Sequence, residues 1–176
     1  MIKIRKGTCP QVLLDHQAEW ASDLLNAVKS YGGYNNIPYA EKEKLLCHYR
    51  HKDIKAILFA SSHNKCAFCE GKPGESGYIE VEHFAPKSIY PQLAFNWDNL
   101  LPVCRKCNED KSDFDTKIRP IINPAAEDPE GLLTYRDLVM APLPGTGEED
   151  KAKTTIEVCN LNSPRLYVHI AELSGS

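Results

Sequence analysis

Four of the seven cysteines fall into two CxxC pairs, Cys66-Ala-Phe-Cys69 and Cys104-Arg-Lys-Cys107, with 34 residues between them. Thiolates delivered two at a time from tight knuckles are the donor set of a tetrahedral Zn²⁺ site, and four of them close it, leaving no position for a substrate. Such an ion is scaffold, so any reaction must be carried by other groups. The enclosed and adjoining residues include suitable ones: Glu82 and His83 side by side in YIEVEHFAPKS, Asn99 in NWDNL, and Asn108 directly after the second pair. A neutral imidazole held in one tautomer can take a proton from water near neutral pH. Carboxylate and amide oxygens are hard donors that favour Mg²⁺ or Mn²⁺ over softer ions. Lys87 and Lys111 are cations that could meet an anionic substrate, with ordinary surface solvation an equal alternative. Glu80 shares the strand face of Glu82 and could assist through a water. An adjacent Glu and His alone would carry no weight; the set enclosed by two thiol pairs does.

These side chains need elements to position them. Residues 1–7 read as a short strand or extended arm. Leu14, Ala18, Ala21, Leu25 and Val28 recur at spacings of four and three, which predicts a helix with one apolar stripe, ended by Gly32-Gly33. A second helical stretch starts near Ala40, runs through Leu45, Leu46 and Tyr49, and resumes through Ile54, Ile57 and Leu58. Its basic segment, with His48 and His51, is expected to be a solvated face. In YIEVEH, Ile79, Val81 and His83 alternate with Glu80 and Glu82, the pattern of a strand. Pro86 and Pro91 turn the following residues into a long loop. Trp97 is expected as a core plug beneath it. LLPVC is a second strand, and Cys107–Lys117 a helix starting at the second knuckle. Beyond Ile118 the chain is punctuated by Pro and Gly, which predicts an irregular segment with a small hairpin. A helix with an acidic first turn follows in EEDKAKTTIEVCNLN. Another is expected from the Ser163 cap and Pro164, running into the last residues as a truncated end would.

At 176 residues the chain suits one globular unit. Hydrophobic content of 42% and charged content of 26% are those of a soluble protein. No secretory signal or apolar run of membrane length is apparent, so the cytosol is the expected compartment. Paired CxxC cysteines without an export signal favour metal over disulfides, and Cys9, Cys47 and Cys159 are expected to be inert core thiols. A net charge of −3 excludes a protein that coats nucleic acid by charge alone. Only the N-terminal third is net basic, residues 1–59 holding nine Lys or Arg against six Asp or Glu.

With these residues in view, the chain resembles the HNH or ββα-metal nucleases of the zinc-knuckle type: CxxC, a strand ending in an acid plus His, a nearby proline, an Asn in NL, then CxxCN and a Lys three positions on. The resemblance implies His83 as general base and Glu82 as ligand of a catalytic Mg²⁺ or Mn²⁺. It implies Asn99 as the residue steadying loop and base, and Asn108 as the residue completing the metal site. Cys66, Cys69, Cys104 and Cys107 would hold structural Zn²⁺. The fold implied is α+β: a ββα-metal core at residues 63–118, an N-terminal helical region at 1–62 and a mainly helical extension at 119–176. Outside the motif, MIKIRKG, INPAAEDPE and TTIEVCNLNSPRL are similar to the HNH subunit of Septu-type and retron-associated anti-phage systems. That implies an ABC/SMC-like ATPase partner and a nucleic-acid substrate, DNA ahead of RNA. Two alternatives remain open: a non-catalytic zinc-binding adaptor, and a stand-alone nuclease of restriction or homing type.

Overall fold

The computed structural model describes residues 1–73, 77–164 and 166. Its centre is a two-stranded antiparallel hairpin, β1 (Ile79–His83) and β2 (Leu100–Cys104), in register from Ile79 opposite Cys104 to His83 opposite Leu100. The knuckle carrying Cys66 and Cys69 folds onto the far end of β2, where Ala67 N–H donates to the Pro102 carbonyl at 2.8 Å. Helix α4 (Arg105–Lys111) starts directly from β2, capped by the Cys104 sulfur, which accepts from Cys107 N–H at 3.4 Å. The expected order of knuckle, strand, loop, strand, knuckle and helix is therefore present. Helix α4 stops at Lys111 rather than Lys117. Ser112 takes a positive φ of 48°, and the Asp115 carboxylate accepts from Lys117 and Ile118 N–H groups, a local turn that competes with continued helix.

Ahead of the hairpin come α1 (Gln11–Ser30), α2 (Tyr39–Leu46) and α3 (Lys52–Ser61), with a 3₁₀ turn at Cys47–Arg50 between the last two. Their apolar faces bury Leu24, Leu46, Ile54 and Leu58 with Val81, Phe95 and Leu100 of the hairpin region. Helix α1 does not bury the stripe its periodicity suggested. Leu14 is 55% exposed and Leu25 39%, whereas Leu13, Leu24 and Ala27 face inward. The buried set sits one residue earlier, a rotation of about 100° at 3.6 residues per turn.

A second cluster packs Phe68, Ile79, Leu101 and Val103, on the side of the CxxC cysteines, against Ile4, Ile121, Ile122, Met140 and Ile156. The last of these come from the expected hairpin, β3 (Leu133–Arg136) with β4 (Val139–Pro142), and from α5 (Glu149–Val158), whose first turn holds Glu149 and Asp150. The helix expected from Ser163 onward lies largely outside the described residues. The N-terminal segment is an extended arm: Ile4 N–H donates to the Pro124 carbonyl at 2.7 Å, and the Lys6 ammonium reaches the carbonyls of Trp97 and Leu100. Trp97 is buried as a plug, its indole N–H donating to the Gly7 carbonyl at 3.3 Å. Cys159 is buried and Cys9 half-buried, but Cys47 is exposed on the 3₁₀ turn and is no core thiol. No helix among the described residues is long and apolar enough to cross a membrane.

Candidate active site

The four CxxC cysteines converge, their sulfur atoms all within 4.8 Å of one another, and form the one cluster of this kind among the described residues. Cys69 and Cys104 Sγ atoms stand 3.8 Å apart, the edge of a tetrahedron built on Zn–S bonds of about 2.3 Å. Hydrogen bonds from the thiols of Cys107, Cys66 and Cys69 push the Cys104 thiol far down, so the cluster favours a thiolate there. The donor set and its spacing fit Zn²⁺, which would tie the first knuckle to the end of β2 and the start of α4.

The candidate catalytic residues lie at the other end of β1, divided between its two faces. One face carries Glu80 and Glu82 toward α4, where Asn108 and Lys111, three apart, present a matching row. Asn108 Nδ2 donates to Glu80 Oε2 at 2.8 Å, and Lys111 Nζ to Glu82 Oε1 at 2.7 Å and to the His83 carbonyl at 3.0 Å. Asn108 thus meets Glu80 rather than Glu82, which gives Glu80 a larger share in the site than the sequence suggested. Lys111, expected as a phosphate contact, is turned inward with 1% of its surface exposed. Burial pushes the Glu82 carboxyl up, opposed by the ammonium groups of Lys111 and Lys87.

This pair yields a stability prediction. Changing Lys111→Met strands a buried carboxylate and is expected to cost about 3–5 kcal/mol, read as a lowered denaturation midpoint of the zinc-loaded protein. Adding Glu82→Gln should recover much of that loss. If it recovered none, the ammonium would contribute packing and not charge compensation.

On the opposite face, His83 is 1% exposed and its Nε2 lies 2.9 Å from the Ala94 carbonyl. A carbonyl only accepts, so Nε2 carries the hydrogen and Nδ1 presents its lone pair. Nδ1 is buried without a hydrogen-bond partner, an orphan shared among the described residues only with the Ser88 hydroxyl. Burial, reinforced by the Lys87 ammonium, pushes the imidazole down to about 3, so the ring is neutral across the physiological range. Tyr49, from the 3₁₀ turn, stands edge-on to the ring at 4.6 Å and 83°. Lys87 is half-buried, its ammonium 5.6 Å from the Tyr49 ring centre.

Asn99 does not touch the His83 side chain. Its amide donates to the carbonyls of Ala85 and Leu93 and accepts from Ala85 N–H, all between 2.8 and 3.1 Å. It staples the residues leaving β1 to the loop that supplies Ala94, and so steadies His83 through that loop. Sequence reasoning assigned no role to Tyr49 or the Ala94 carbonyl. The first comes from a distant turn, and the second is backbone, which side-chain spacing does not report.

Residues 66–114 match the family model described as HNH endonuclease. The whole chain aligns over 177 residues, at 34% identity, with a protein named Septu protein PtuB from Bacillus thuringiensis, covering 60% of that protein. A Septu protein PtuB of Bacillus mycoides (strain KBAB4) is 26% identical over 51% of the chain and 40% of its own length. Protein ea31 of Escherichia phage lambda is 38% identical over 29% of the chain and 16% of its own length. The chain thus spans less than two thirds of the length of each of these relatives.

Proposed function

We propose that the protein, whose residues 66–114 match the HNH endonuclease family and which is similar along its length to PtuB, hydrolyses phosphodiester bonds of nucleic acid, DNA in the first place. In this reading it is the nuclease subunit of an anti-phage defence complex that includes an ATPase. The observation that carries the nuclease reading is His83: a buried neutral imidazole, tethered at Nε2 by a carbonyl, with its Nδ1 lone pair unclaimed.

His83 is the general base of this reading, taking a proton from the attacking water at Nδ1 while the Ala94 carbonyl holds the tautomer. Asn99 keeps that carbonyl in place. Glu82 and Asn108, with Glu80 beside them, are hard oxygen donors of the type that holds Mg²⁺ or Mn²⁺, and such an ion supplies charge neutralisation at the phosphate when bound. In this reading Lys87 is the cation that meets a phosphate oxygen. Because His83 is almost fully enclosed, its neighbours Tyr49 and Lys87 must yield when substrate arrives. The ATPase partnership is supported by the resemblance to Septu proteins and by the net charge of −3, which leaves a nuclease subunit dependent on a partner for part of its hold on a polyanion.

The test is cleavage of plasmid DNA by the purified zinc-loaded chain, alone and with an ABC/SMC-like ATPase of a Septu system, in Mg²⁺ and in Mn²⁺. Cleavage is expected with either ion, stronger with the ATPase, and lost on removing the added ion while zinc is retained. Cleavage that persists without Mg²⁺ or Mn²⁺ would contradict the hard-metal assignment. Absence of cleavage under every condition, on DNA and on RNA, would sink the nuclease reading.

A further inference from the structure

Among the described residues strand β1 pairs only with β2, which leaves its other edge without a strand partner there. Along it runs a cleft of about 250 Å³. One wall is Glu80 and Asn108, already part of the candidate catalytic cluster. The other is built from outside residues 66–114, by Tyr49 and Arg50 of the 3₁₀ turn and Lys55 of α3. The sequence read this basic stretch as a solvated helix face, yet Tyr49, Arg50 and Lys55 are all half-buried against the hairpin. We propose that the cleft seats the sugar-phosphate backbone of the substrate strand, with Arg50 and Lys55 taking the phosphate next to the one being cleaved. This rests on the nuclease reading and extends it to a subsite.

The chemistry of the two walls supports the assignment. The Glu80 carboxylate is occupied by the Asn108 amide at 2.8 Å, which softens its repulsion of an anion. The Arg50 guanidinium lies 5.4 Å from the Tyr49 ring centre, the same ring that faces Lys87 at 5.6 Å and packs against His83. Cations therefore flank this ring, which lines the cleft and also touches the candidate base. Arg50 is also bonded to Glu43 at 2.7 Å, with both side chains about two-fifths exposed. An ion pair this open to solvent is weak, so it aims the guanidinium without committing it, and a phosphate can replace the carboxylate. The planar fork of Arg matches two phosphate oxygens at once. Lys55 makes no ion pair among the described residues and remains available as a second point charge.

The experiment uses the full zinc-loaded chain carrying His83→Ala, so that binding is measured without cleavage. Fluorescein-labelled DNA and RNA duplexes are titrated over a range of salt. Each of Arg50→Ala and Lys55→Ala, added singly, is expected to reduce the slope of log affinity against log salt by about 0.9, the value of one phosphate contact on a duplex. Zinc content and thermal midpoint should match the parent. An equal reduction on DNA and RNA identifies the shared backbone as the ligand, and a reduction on one alone identifies the substrate while still supporting the subsite. Unchanged slopes in both variants, with the unmutated chain still cleaving, would overturn the subsite and leave the nuclease reading standing. Neither binding nor cleavage by any form would remove both.

Discussion

Replacing Cys104 by serine is expected to unfold the zinc-side half of the molecule rather than loosen it. Cys104 has no exposed surface, ends β2 opposite Ile79, caps α4 through Cys107 N–H, and stands 3.8 Å from the Cys69 sulfur. Three of the four thiols, Cys66, Cys104 and Cys107, are themselves members of the core with Phe68, Leu101 and Val103. A structural zinc contributes roughly 10–16 kcal/mol of apparent binding energy, against a whole-domain stability of about 5–15 kcal/mol. Losing one of four ligands therefore removes support of the same size as the net stability. The variant should carry less than one zinc per chain and lack a cooperative thermal transition, and prolonged chelation of the parent should have the same effect. Cys47→Ser is the matched control, because that thiol is exposed and outside the cluster. A Cys104→Ser protein free of zinc yet melting with the parent would show that the four thiols are ordinary core residues.

The parts of the fold that sequence made legible are those fixed by short spacings. Two CxxC pairs placed the four-cysteine cluster, period-two alternation placed β1, and Pro86 and Pro91 marked the loop between the strands. The inward face of α1 was not legible, because Leu13-Leu14 and Leu24-Leu25 are adjacent pairs. Two stripes about 100° apart are then almost equally apolar, and only packing against the hairpin selects one. Lys111 was misplaced for a related reason. A lysine in a polar helix reads as surface until Glu82 is seen on the strand opposite. Long-range partners leave no local trace at all, which is why Tyr49 and Arg50, more than thirty residues before His83, emerged only once α2 and α3 were set against β1.

The largest expected functional effect belongs to His83→Ala. If Nδ1 takes the proton from the attacking water, removing the ring should lower cleavage by about 10²- to 10⁴-fold, the usual span for a lost general base. The change also tests whether His83 serves the fold instead. Its ring makes one side-chain hydrogen bond, to Ala94, and one edge contact, with Tyr49, so truncation leaves a cavity without stranding a charge. The four-cysteine cluster lies at the opposite end of β1, so zinc bound there should be kept. Loss of cleavage at unchanged zinc content, with a cooperative transition retained, would assign the loss to chemistry. Chemical rescue by added imidazole would strengthen that conclusion, since a small base can enter the space the side chain vacates. The adaptor alternative predicts the reverse: defence against phage, or whatever activity the assembled complex shows, would survive His83→Ala and disappear only with the cysteines. The two readings thus differ on one substitution. The structural reason to expect chemistry is that a histidine kept only for packing has no need of a buried ring nitrogen left without a partner, an arrangement that costs stability unless something arrives to use it.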